Sequence, residues 1–290
     1  MEGEGAVELR GIDIHVHPQT EEVIKAAGER GAQMARYFGR TDRKPVSFAA
    51  MADRYRDLGL MCCLMNSTDI TTTGQIPVPN DHLAQAQKDH PDVFIAFGVV
   101  DPWMGRAAVD EVIRCHEELG VRGIGELNPG RQKFHPHDPR FYPIWEECAK
   151  RDLIVLFHTG MMGAGAGTPG GLGFELQYTK PIPGLDSLAA AIPELKLIAA
   201  HPSWPWTAES LAICTHKTNY YVDLSGWAPK YFPDELVHYV NTRIQDRALF
   251  GSDWPMIDVE RWLREFDDLP IRPEVRQKIM LDNAKKLLGI

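Results

Sequence analysis

Residues 11–20 read GIDIHVHPQT. A short apolar run carries His15 and His17 two positions apart, with Pro18 directly behind them. Side chains two apart on a strand point to the same face. If this run is a strand, its end presents two imidazoles side by side. The fold therefore turns on how many comparable runs follow, and on what stands at their ends.

Seven more runs follow: GLMCCLMNS (59–67), VFIAFGVVDP (93–102), VRGIGELNP (121–129), LIVLFHTG (153–160), LKLIAAHP (195–202), YYVDLSG (220–226) and ALFGSDWP (248–255), after a first run VELRGIDIHVH spanning 7–17. Most are apolar over consecutive positions, as strands buried on both faces of a parallel sheet are. Helical patterns lie between them. Val109, Val112, Ile113 and Leu119 mark one face of 105–119, with Gly120 suited to a C-cap. Leu236, Val237, Val240 and Ile244 do the same in 233–246, and a last helix is expected from Pro273 to Gly289. Further helices are expected within 44–58, 80–90, 139–151, 185–192 and 206–217. Eight strand–helix alternations predict an α/β fold, a single (β/α)8 barrel domain over 1–290. An open doubly wound sheet is the runner-up. Neither GxGxxG after the first strand nor GxxxxGK[ST] occurs, so nucleotide folds gain no support. Two connections are long, the Arg-rich 18–46 (Arg30, Arg36, Arg40, Arg43) and the Gly-rich 160–184, and both are expected to be substrate loops.

The chain has 290 residues and a net charge of −9, which argues against nucleic acid or an anionic membrane as partner. No apolar run approaches the ~20 residues needed to cross a bilayer. The five cysteines are odd in number, two are adjacent, and no CxxC occurs, so no disulfide framework is expected. The opening MEGEGAVELR is acidic and polar and does not read as a signal peptide. A cytoplasmic setting and a homo-oligomer, dimer or tetramer, are expected.

In a barrel of this kind the site forms at the C-terminal ends of the strands. Those ends carry His15 and His17, then Glu126 and Asn128, then His158, His201 and Asp253. Four imidazoles and a carboxylate on one mouth make a metal-site composition suited to zinc, manganese or iron. His116, His82, His90, His216 and His238 read as helix positions, and His135 and His137 in KFHPHDP form a second HxH in a Pro-rich loop.

The motifs DIHVHP, LFHTG, AAHPSWPW and FGSDWP, in this order, resemble the metal-dependent amidohydrolase superfamily. The resemblance is to the amidohydrolase-related branch that includes aminocarboxymuconate-semialdehyde decarboxylase and the resorcylate-type decarboxylases. It implies that His15, His17, His158 and Asp253 hold one divalent metal, zinc being expected. It implies that His201 is the acid/base group and that Asp253 shares in catalysis. Binuclear relatives bear a bridging ligand on the fourth strand, so Glu126 is a further ligand candidate. HPSWPW departs from the Gly-rich turn usual in the decarboxylases. VDLSGWAPKYFPDELVHYVN resembles a hydrolase subgroup that includes 4-hydroxyphenyl-β-ketoacyl-CoA hydrolase.

A divalent ion with an open position lowers the pKa of bound water from 15.7 to about 7. On these grounds the expected reaction is hydrolysis, by metal-activated water, of a carbon–carbon bond in an aromatic or β-keto acyl compound. Non-oxidative decarboxylation of an aromatic or muconate-type acid is the alternative. The substrate is a small carbonyl or carboxylate compound, with Arg131, Lys133, Trp204 and Trp227 as its expected contacts.

Overall fold

The computed structural model describes residues 8–42 and 44–290. Eight strands form one sheet in sequence order: β1 (Gly11–Val16), β2 (Leu60–Leu64), β3 (Phe94–Gly98), β4 (Gly123–Leu127), β5 (Ile154–His158), β6 (Lys196–Ala200), β7 (Tyr220–Asp223) and β8 (Ala248–Leu249). Every neighbouring pair is parallel. The first and last strands close on each other. Ile14 N donates to Phe250 O at 2.9 Å, Asp253 N to His15 O at 2.9 Å and His17 N to Trp254 O at 2.7 Å. The expected (β/α)8 barrel is therefore the architecture, with helices between the strands close to the expected spans.

The core has two layers. Ile12, Ile14, Cys63, Met65, Ile95, Phe97, Ile154, Leu156, Ile198 and Leu249 pack together inside the barrel. Val16, Ile124, Leu127 and Phe157 belong to the larger cluster between strands and helices. Branched side chains filling a barrel interior make it a packed core and not a pore. Burying each Ile or Leu contributes about 1.5–3 kcal/mol. All five cysteines are buried and free.

Two strands slip by one residue near their C-terminal ends. β1 runs from Asp13 to Val16 while β2 advances only from Cys62 to Leu64. β4 runs from Ile124 to Leu127 while β5 advances only from Val155 to Phe157. The slip separates Ile14, inside the barrel, from Val16, outside it, although two apart on a regular strand would share a face. It also puts Ile124 and Leu127 on one side although they are three apart. Such bulges re-aim the side chains that follow.

The segment 18–46 departs from expectation, because most of it is helix and not loop. Helix α1 (Glu21–Tyr37) begins at Thr20, whose hydroxyl accepts from Val23 N, with Glu21 and Glu22 in its first turn. That is a helix start, and its polar, Arg-rich composition hid it. Gly28 breaks the helix with φ 54° and ψ −149°. The first run was expected from residue 7, and Val7 lies outside the described residues, as does Arg43. The 160–184 segment has only short 3₁₀ turns, Pro169–Gly173 and Leu176–Thr179, before the helix Pro181–Ala191. The two insertions lean on each other. Gln33 Nε2 donates to Ala166 O at 2.8 Å, and a Cβ on Gly167 would lie 2.7 Å from the Tyr37 ring.

Candidate functional site

Beneath the site lies Asp13, which is fully buried. It accepts from Tyr55 Oη at 2.9 Å, Ser252 N at 2.8 Å and Ser252 Oγ at 2.5 Å. Tyr55 sits on α2 (Phe48–Asp57), so one carboxylate ties β1 to that helix and to the turn after β8. Burial pushes the Asp13 carboxyl up to about 6 even against the Ser252 and Tyr55 hydrogen bonds.

Above it, His15 donates from Nδ1 to Asp223 Oδ2 at 2.8 Å. That bond commits Nδ1 as a donor and turns Nε2 toward the cluster. His15 Nε2 lies 3.1 Å from His17 Nε2, 3.8 Å from Asp253 Oδ1 and 4.0 Å from Glu126 Oε2. His17 Nε2 lies 3.4 Å from Glu126 Oε2 and 3.5 Å from Asp253 Oδ1. Two ring nitrogens and two carboxylate oxygens thus face a common point.

Glu126 turns its other oxygen the opposite way. Oε1 lies 2.7 Å from His158 Nδ1 and 3.5 Å from His201 Nε2, and these two nitrogens are 3.2 Å apart. His158 Nε2 lies 3.3 Å from Met161 O. Among the described residues, donors close enough to share an ion form two groups: His15, His17 and Asp253, and His15, Glu126 and His201. His158 stands beside the second group, joined to it through Glu126.

His201 follows β6 with φ 70°, and Asp253 follows β8 with φ 59°. Non-glycine residues seldom adopt this conformation, and where they do they often serve a site. Ser225 Oγ lies 2.9 Å from His201 Nδ1 and 3.2 Å from His15 Nδ1. Because His15 Nδ1 already donates to Asp223, the Ser225 hydroxyl is free to pair with His201 Nδ1, and a hydroxyl that donates there would put the His201 proton on Nε2. A Cβ on Gly226 would lie 2.3 Å from His201 Nδ1, so only glycine leaves the ring its place.

Electrostatics bind the cluster together. Burial pulls the His15 pKa down, but the Asp223 carboxylate more than offsets this and holds it near 10. Burial would raise Glu126, yet the His158, His17 and His201 imidazoles hold it well below the usual carboxylate range. His201 is lifted by Glu126 and Asp253 against burial, whereas burial prevails at His158 and lowers it. Asp223 is lowered because His15 outweighs its burial. Buried carboxylates interleaved with imidazoles, lone pairs converging, form a donor set that fits a divalent cation.

The other sequence-derived candidates divide. Trp204 is 51% exposed and Trp227 half-buried, their ring centroids 6.0 Å apart, three and two residues beyond His201 and Ser225. Arg131 is held by Asp69, Lys133 is exposed, and Arg36 pairs with Glu29 on the surface. His135 and His137 stack loosely near Tyr178, outside both donor groups. Asp223, Ser225 and Asp69 did not emerge from the sequence reading. Asp223 ends the YYVDLSG run, so the same strand-exit rule finds it once the seventh run is inspected like the others.

The amidohydrolase family profile matches residues 12–290. The chain belongs to the amidohydrolase family. This amidohydrolase is 27% identical over 204 residues to 2-amino-3-carboxymuconate-6-semialdehyde decarboxylase of Dictyostelium discoideum, covering 61% of the chain and 55% of that relative's length. It is 24% identical over 247 residues to gamma-resorcylate decarboxylase of Rhizobium sp. (strain MTP-10005), covering 73% and 75%. Among solved structures, a TIM-barrel protein from Bordetella bronchiseptica superposes with TM-score 0.78 at 23% identity, over 96% of this chain and 98% of that one. A 5-carboxyvanillate decarboxylase from Novosphingobium aromaticivorans, solved with bound manganese, superposes with TM-score 0.65 at 18% identity over 99% of both chains. These relatives overturn the expectation of hydrolysis, because both curated relatives named above are decarboxylases. The HPSWPW turn that favoured hydrolysis is a feature of loop shape around His201. Its Ser203 hydroxyl is engaged with Thr159 Oγ1 at 2.6 Å.

Proposed function

We propose that this chain is a metal-dependent, non-oxidative decarboxylase of an aromatic or muconate-type acid. The observation that carries the reading is the placement of His201, buried beside the donor set, with Ser225 at Nδ1 and Nε2 facing Glu126. The decarboxylase relatives support this chemistry over hydrolysis.

In this reading His15, His17 and Asp253 hold the ion, with His158 and Glu126 completing its surroundings. When bound, a divalent cation supplies positive charge that holds and polarises the oxygens of a carboxylic acid. Zinc, manganese and iron all suit such mixed donors, and the manganese in the 5-carboxyvanillate decarboxylase supports manganese as strongly as zinc. His201 delivers its Nε2 proton to the carbon that bears the carboxylate. The bond to the carboxylate breaks, its electron pair stays on that carbon, and CO₂ leaves. Asp223 keeps the His15 lone pair turned inward, and Ser225 keeps the His201 proton on the correct nitrogen. Trp204 and Trp227 border the substrate ring.

Turnover in D₂O tests the reaction. Each CO₂ released should leave one deuterium on the vacated carbon. Labelled oxygen from ¹⁸O-water in a newly formed product carboxylate, without CO₂, would reject it.

A further inference from the structure

We propose that Thr159 is the positioning residue for His201, its hydroxyl fixing the direction from which the proton arrives. This rests on the decarboxylase reading, in which His201 supplies that proton.

His201 does not sit on a relaxed backbone. It has φ 70°, and Ser203, two residues on, has φ 59°. Non-glycine residues hold such conformations only where their surroundings over-determine them. The peptide between Ala200 and His201 is held at both ends. Thr159 Oγ1 donates to Ala200 O at 2.6 Å, and His201 N donates to Asp223 Oδ1 at 3.3 Å. A peptide unit is planar, so holding its C=O and its N–H sets its plane, and with it the root of the His201 side chain.

The hydroxyl protons can be assigned. Thr159 has one, and Ala200 O can only accept, so that proton goes to Ala200. Thr159 Oγ1 also lies 2.6 Å from Ser203 Oγ, which is then the donor of that pair. One hydroxyl thus grips the turn on both sides of Pro202. Thr159 is 2% exposed, and Ala200 and Ser203 are fully buried. Taking the hydroxyl away leaves a buried carbonyl and a buried hydroxyl short of this partner. The two turns are also built to meet. Gly160 has φ 81°, and a Cβ there would lie 2.6 Å from Trp204 O. Met161 N donates to the same Trp204 O at 2.8 Å.

Thr159 differs from the other groups around His201. Ser225 touches the imidazole itself, and Asp223 also holds the His15 ring through its second oxygen. Thr159 reaches His201 through the backbone alone. Its neighbour His158 is placed by the regular β5–β6 pairing and by Glu126. Loss of the Thr159 hydroxyl therefore moves the proton donor and spares the ion.

The test sets Thr159→Val, which keeps the shape and removes the hydroxyl, against Thr159→Ser, which keeps the hydroxyl. Amide hydrogen exchange over residues 201–206 should quicken about ten-fold or more in Thr159→Val, with 153–157 unchanged, and return to the native rate in Thr159→Ser. In metal-loaded protein, CO₂ release from a panel of mono- and dihydroxybenzoates should lose about 10- to 100-fold in kcat in Thr159→Val, with KM and metal content within about two-fold of native. Thr159→Ser should recover kcat to within about three-fold of native. Native exchange or native kcat in Thr159→Val overturns the proposal. So does loss of metal, which would assign Thr159 to the ion, and so does a loss of kcat that Thr159→Ser fails to restore. If Thr159→Val does not fold, Ser203→Ala, which removes only the bond from Ser203, should quicken the same exchange about three-fold or more. Native exchange in that variant overturns the proposal. Exchange needs no turnover, so absence of CO₂ release from the native protein would count against the decarboxylase reading while exchange still decides whether Thr159 holds His201.

Discussion

β5 and β6 hold their register to the last residue, with His158 opposite Ala200, whereas β1 and β4 each slip by one within Asp13–Val16 and Ile124–Leu127, the stretches that hold His15 and Glu126. In the regular pair the strand ends and a histidine stands at or just past its end. In the slipped pair the polar residue lies within or beside the strand, and the extra residue turns it toward the barrel axis. The first arrangement makes use of where a strand stops, the second of how it is wound. Both bring imidazole or carboxylate to one point, and Glu126 joins the two halves by giving each of them one oxygen.

The comparison breaks most sharply at the ligands. His15→Ala and Asp253→Ala should each cut metal content to below about a tenth and slow turnover by about 10³-fold or more, read by elemental analysis and CO₂ release. Chelator treatment of the native protein should do the same, with recovery on adding metal. On the regular side, His201→Ala should retain its metal and lose about 10²- to 10⁴-fold in rate. A metal-free His201→Ala protein would show that the two sides do not divide ion-holding from proton transfer. Asp223→Asn, which removes the carboxylate that orients His15, should weaken metal affinity by about 10- to 100-fold, measured by competition with a fluorescent chelator. Glu126→Gln sharpens the shared element: lower occupancy assigns Oε2 to the ion, and unchanged occupancy moves Glu126 wholly to the His158–His201 side. The smallest effect is expected at Gly226→Ala. It should cost about 1–3 kcal/mol in thermal unfolding through its φ of 72° and its crowding of His201, with metal content kept.

This division also explains what the sequence disclosed. Runs such as LIVLFHTG announce both the strand and the residue at its end, because apolar burial and strand termination are written in composition. His158, His201 and Asp253 were found in that way. The bulges were not, since GIDIHVH and GIGELNP alternate no differently from an unslipped strand. The HxH spacing still placed His15 and His17 together, and their Nε2 atoms lie 3.1 Å apart. α1 was missed because its face is mostly polar and its start signal, Thr20 followed by two glutamates, is short. Asp223 and Ser225 act through the second nitrogen of each imidazole. The Asp223–His15 contact spans 208 residues of sequence and the Ser225–His201 contact 24, which spacing within one run does not reveal.

The bulge in β1 makes the length of the chain, and not only its composition, part of what builds the centre. Three residues lead from Asp13 to Val16 where two lead from Cys62 to Leu64. Two residues apart on a regular strand, Asp13 and His15 would share a face. With the extra residue, Asp13 faces Tyr55 and Ser252 while His15 faces His17 and the carboxylates. One short strand thereby serves as anchor on one side and as ligand on the other.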